Sequence, residues 1–144
     1  MKKLQGFTLI ELLLVLAIIG ILTSFLMANL MNAKLRVRDA QRKSDLKQLQ
    51  SAFESYRTDQ GSYPPSPLPA CGSPLIFGGS TYMQKTPCDP TNNGQYIYRY
   101  ITTGTTYSLI ACLENVQDQQ KETVNNAAYC TGSTTNWSYM VINP

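Results

Sequence analysis

At 144 residues, with four cysteines and no histidine, the chain is one domain's worth of protein. It lacks both the commonest general base and the commonest neutral metal ligand, which argues against hydrolytic and transition-metal chemistry. Its net charge of +3 includes Lys2 and Lys3; without them ten basic groups face nine acidic ones, a balance with no field for gathering nucleic acid, so no specific nucleic-acid partner is expected.

The first element is a short basic leader, "MKKLQG", followed by an apolar run from Phe7 to Leu30 in which only Thr8, Glu11, Thr23, Ser24 and Asn29 are polar. As a helix this run spans ~36 Å, enough to cross a hydrocarbon core of ~30 Å. The lysines ahead of it favour a cytoplasmic N-terminus. An ordinary secretory signal peptide fits poorly, because no small-x-small cleavage site follows the run. A plain signal anchor leaves Glu11 unexplained, since a carboxylate deep in the bilayer costs ~2.5 to 3.5 kcal/mol on insertion scales. Cleavage between Gly6 and Phe7 accounts for both features. It creates an α-amino group at Phe7 one turn from Glu11, and the carboxylate of one subunit can then partner the amine of its neighbour.

No proline or glycine occurs from Ile21 to Gln60, so the helix is expected to continue past the apolar run to about Arg57. Leu46, Leu49, Phe53 and Tyr56 form one apolar stripe on this charged half, suited to packing on the chain's own core. Gly61 supplies a stop, and Pro64 and Pro65 prevent resumption. The Pro-, Gly- and Ser-rich stretch 61–79 reads as a loop in need of a tether. Two alternating runs, "QYIYRYI" and "TYSLIACLE", separated by "TTGT", predict an antiparallel pair turning at Gly104. The polar segment that follows is expected to be irregular or briefly helical, and "WSYMVI" to return as a third strand.

The cysteines show no zinc spacing, and an even count after an export segment favours disulfides in an oxidising compartment over buried free thiols. Four allow three pairings. Joining Cys71 to Cys88 and Cys112 to Cys130 closes the two least self-supporting segments, at ~3 kcal/mol per bridge in the chain-entropy model. A Cys88 to Cys112 link competes if the "PCDP" segment crosses the Cys112 face.

"GFTLIELLLVLAIIGIL" resembles the class III signal sequence of type IV pilins and of the pseudopilins of type II secretion and competence systems. The resemblance implies that a prepilin peptidase cuts after Gly6 and N-methylates Phe7, and that Glu11 serves filament assembly. "RDAQRKSDLKQLQSAFESYRTDQGSYP" is similar to the second half of the long pilin helix and its following loop. Pro87 and Asp89 match a proline and an aspartate that precede two sheet strands in that family. One departure is Ala28, in the region where many pilins carry a helix-melting proline.

For major secretion pseudopilins the same resemblance raises calcium as a cofactor, in the loop after the sheet strands. Glu114, Asp118 and Glu122 stand there at i, i+4 and i+8, a spacing that equally describes one solvated face of a short helix, so no metal ligand is assigned. The basic run Lys34, Arg36, Arg38, Arg42, Lys43 and Lys47 is interleaved with Asp39 and Asp45, which points to salt-bridged helix packing.

The expected architecture is therefore α+β and pilin-like: a leader over 1–6, a transmembrane or filament-core helix over 7–30, its amphipathic continuation over 31–60, and a globular sheet domain over 61–144. The expected role is a structural subunit, not an enzyme. It would be a pilin of a type IV pilus or related filament, with a pseudopilin of a secretion or competence system as the alternative and a membrane-anchored extracytoplasmic ligand-binding domain as a remote one. Expected partners are the prepilin peptidase, further copies of this chain and other pilins in a helical filament, an inner-membrane assembly platform and the bilayer. The precursor would span the inner membrane once, N-terminus inside, before entering an extracytoplasmic or cell-surface filament.

Overall fold

The computed structural model describes residues 6–131 and 136–144, backbone only at 28 and 29. The leader lysines Lys2 and Lys3 lie outside the described residues, as does the segment 132–135. The fold is α+β. Its one described helix, α1 (Leu9–Gln60), is followed by strands β1 (Leu75–Phe77), β2 (Ser80–Met83), β3 (Arg99–Thr102), β4 (Tyr107–Leu113) and β5 (Trp137–Ile142). The chain divides into two compact units, Met1–Leu35 and Arg36–Pro144.

In the first unit every residue from 6 to 34 whose burial is described is exposed, including Leu9, Ile10, Leu14, Ile21 and Phe25. Its helix is long and apolar enough to cross a membrane. Such a run of exposed apolar side chains is the surface that lipid or other apolar helices cover.

In the second unit α1 ends where the sequence requires it. The Gly61 amide donates to the Arg57 carbonyl at 2.8 Å with φ +74, a left-handed cap that a side chain would strain. The buried face of α1 carries Leu46, Leu49, Ala52 and Phe53, which pack on Tyr100, Tyr107, Leu109, Ala111, Leu113, Tyr139 and Val141. Those sheet residues come from the antiparallel order β3-β4-β5, with Leu109 opposite Tyr100 on one side and Val141 on the other. Phe53 meets Tyr100 and Tyr107 at ring separations of 4.7 and 5.4 Å, so this core is aromatic as well as aliphatic.

Two local expectations need correction. The run "QYIYRYI" enters the ladder only at Arg99, because the Tyr98 hydroxyl turns to donate to Asp45 at 2.6 Å and Tyr96 lies over Arg42. The stretch read as a loop, 61–79, contains β1 and the turn of a hairpin that β2 completes, with Gly78 and Gly79 both at positive φ and the hairpin seated on Tyr56 through Phe77 and Tyr82. The segment after β4 takes the irregular form of the two expected, with no helix among its described residues.

Candidate functional site

The segment in which the sequence places processing lies just ahead of α1. Thr8 stands at the N-cap: its hydroxyl accepts from the Glu11 amide at 3.3 Å, while the Thr8 amide and hydroxyl both donate to Glu11 Oε2, at 2.9 and 2.7 Å. This is a capping box, in which the third helical residue reaches back to satisfy orphan donors at the helix start. The spacing T-x-x-E announces it, and the sequence reading, which sought only an intersubunit partner for Glu11, missed it. Gly6 and Phe7 precede the helix, and nothing lies within 4 Å of where a Gly6 side chain would project. Phe7 is 80% exposed. The Gly6–Phe7 peptide bond therefore lies in an accessible lead-in to the helix.

The second feature is a buried ion-pair centre on the charged half of α1. Arg42 is fully buried, and all five of its N–H donors are used. Nε donates to Asp89 Oδ2 at 2.7 Å, Nη1 to Asp39 Oδ1 and Glu114 Oε1, both at 2.7 Å, and Nη2 to Asp89 Oδ1 and the Thr91 hydroxyl, both at 3.0 Å. Burial opposes the Arg42 charge, but its bonds to Asp89, Glu114 and Asp39 outweigh this and raise its pKa, so it stays protonated.

Around this fork the loops are fixed to the helix. Asp39 accepts the Glu114 and Asn115 amides at 2.9 and 2.7 Å, and Asp89 accepts the Thr91 amide at 2.8 Å. Arg38 donates to both Glu114 oxygens, and Lys43 to both Asp118 oxygens at 2.8 and 2.7 Å. Burial works against both carboxylates, yet Arg38 and Arg42 hold Glu114, and Lys43 with the Gln120 amide holds Asp118, below their ordinary pKa values. Asp45 pairs with no cation among the described residues; it accepts from Tyr98 and Gln41. The charge run thus faces inward at three of its six members, a placement that a reading of charge alone could not assign.

The bridges join Cys71 to Cys88 and Cys112 to Cys130, with Cα separations of 5.1 and 5.5 Å. Each tethers one of the loops that the Arg42 centre grips: Asp89 follows Cys88, and Glu114 follows Cys112 by two residues. Glu114, Asp118 and Glu122 do not converge. Two are committed to helix cations, and no group of three metal-ligating side chains is found among the described residues. The donor set does not fit calcium, which takes six to eight oxygens free of competing cations. The cavity beside the Cys71–Cys88 bridge, lined by Thr86, Asp89 and Tyr98, holds about 180 Å³, less than the ~300 Å³ at which small-molecule sites begin.

Residues 1–27 match the prokaryotic N-terminal methylation motif. The chain is 30% identical over 112 residues to the type II secretion system core protein G of Vibrio cholerae, covering 72% of this chain and 75% of that protein. The chain belongs to the type II secretion system core protein G family. The family's protein from Aeromonas hydrophila is 30% identical over 101 residues, 64% of this chain and 71% of the relative. That from Escherichia coli K12 is 32% identical over 100 residues, 63% and 69%. No solved structure gives a significant match. Membership in a family of secretion-system core proteins makes this chain a pilin-like structural protein rather than an enzyme. Its N-terminal helix fits the single membrane anchor that the methylation motif brings with it.

Proposed function

We propose that this chain is a pseudopilin: cut between Gly6 and Phe7 by a prepilin peptidase, N-methylated at Phe7, and polymerised from the inner membrane, through its apolar helix, into the filament of a type II secretion system. The observation that carries this reading is the likeness to core protein G over 112 residues, which continues well beyond the methylation motif into the folded unit. It favours secretion over a type IV pilus. The physics is the same for either filament. Apolar side chains left uncovered by the chain move between lipid and the packed helices of neighbours, and Glu11 pairs with the amine of an adjacent Phe7. Its partners are then the prepilin peptidase, copies of itself and other pilin-like subunits, and an inner-membrane assembly platform.

Deleting the gene in its host tests the assignment. Secreted enzymes are expected to accumulate in the periplasm while surface pili persist. Loss of pili with secretion intact would return the chain to the pilus class.

A further inference from the structure

The segment after β4 is where the family resemblance raises calcium, and in this chain two of its three carboxylates, Glu114 and Asp118, already have cations. Glu114 receives the Arg38 fork and one Arg42 donor. Asp118 receives Lys43 on both oxygens, and its Oδ1 also accepts the Gln120 amide at 2.9 Å. A divalent ion seated on these groups would have to strip three resident positive charges and then sit beside them. That is the arrangement a hard cation avoids.

The same segment is closed without an ion. Cys130 is bridged to Cys112 at the end of β4, and the Asn125 side chain donates from Nδ2 to the Cys130 carbonyl at 3.0 Å. Ser138 of β5 ties the middle down: its amide donates to the Asn125 side chain, its hydroxyl accepts the Asn126 amide, and its carbonyl accepts the Glu122 amide, all at 2.9 Å.

We infer that the loop from Glu114 to Cys130 is ordered by Arg38, Arg42 and Lys43 of its own helix together with the Cys112–Cys130 bridge, and that the chain folds without a divalent cation. The inference concerns the folded unit alone and stands whichever filament the chain builds.

The test uses the full chain in detergent micelles, melted in EDTA and in millimolar calcium chloride. Midpoints are expected to agree within ~1 °C, whereas an ion present at a hundred times its dissociation constant raises a domain of this size by roughly 10 °C. Terbium gives a second readout, because Trp137, the only tryptophan, donates its indole N–H to the Glu122 carbonyl and lies at this loop. No saturable Trp-sensitised terbium emission is expected. A calcium-dependent rise of the midpoint, or terbium emission displaced by calcium, overturns the inference. In the Cys112→Ser/Cys130→Ser variant, trypsin is expected to cut at Lys121 at least tenfold faster than in the parent, with calcium giving no protection. Unchanged resistance, or protection by calcium, also overturns it.

Discussion

Arg42 of the helix and Asp89 of the tethered loop form a two-point ion pair with both side chains fully buried, Nε to Oδ2 at 2.7 Å and Nη2 to Oδ1 at 3.0 Å. A charge so placed is tolerable only because every donor on Arg42 is matched; removing one partner leaves the other stranded in low dielectric.

Asp89→Ala is therefore expected to cost about 3 to 5 kcal/mol, a large share of a small domain's stability. Arg42→Lys should not rescue, since an ammonium cannot reproduce the planar fork. Urea unfolding followed by circular dichroism measures both. A lysine variant as stable as the parent would show that charge, and not fork geometry, holds the loops.

At the helix start two roles of Glu11 separate by mutation. Thr8→Ala removes the N-cap hydroxyl and should cost about 1 kcal/mol of helix stability while filaments still form. Glu11→Val removes the carboxylate as well; it should insert and be cleaved, yet leave filaments scarce and membrane-bound monomer abundant. Filament yield by shearing and immunoblot reads the difference. Equal loss in both variants would assign Glu11 to capping alone.

Processing should depend on Gly6. Gly6→Val is expected to accumulate uncut precursor, and mass spectrometry of the mature parent should find N-methylated Phe7. An N-terminus at Met1 on assembled material counts against the cleavage.

Acid should loosen the loop after β4 first. Glu114 and Asp118 sit below their ordinary values of 4.5 and 3.8 in the folded chain, so each adds stability that is complete above its ordinary value. That contribution is lost as pH falls from there through the lowered folded value. Urea midpoints should be flat from pH 7 to about 5 and decline below. In Glu114→Gln the decline should be shallower, and an unaltered slope in that variant would remove Glu114 from the account.

Non-reducing peptide mapping should recover Cys71 linked to Cys88 and Cys112 linked to Cys130. A peptide joining Cys88 to Cys112 would contradict the structure. Breaking either bridge should cost about 3 kcal/mol in the chain-entropy model.

Much of this architecture was legible because the relevant signals are local. Absence of Pro and Gly to Gln60 marks the long helix, the spacing of Leu46, Leu49 and Phe53 marks its buried face, and alternation at Tyr107, Leu109, Ala111 and Leu113 marks the central strand. The hairpin β1-β2 escaped because Pro, Gly and Ser around it read as loop, although "LIFGGSTYM" places two glycines between short β-prone runs. The Arg42 centre escaped for a different reason. Its partners Asp89 and Glu114 lie 47 and 72 residues away, and no local pattern separates a buried arginine from a solvated one. Only the Asp39 to Arg42 spacing, i to i+3, was within reach.

The buried fork also governs how the helix can move against its sheet. An apolar stripe such as Leu46, Leu49 and Phe53 tolerates slippage, since after a shift of one turn, ~5.4 Å, similar side chains meet similar surfaces. Arg42 does not. The same shift would carry Asp39 along on the helix but break the other four bonds, to Asp89, Glu114 and Thr91, at once, leaving a buried charge with one of its three carboxylates. Under an axial pull the sliding coordinate is therefore stiff at Arg42, and the helix yields there by unfolding rather than by creeping along the sheet.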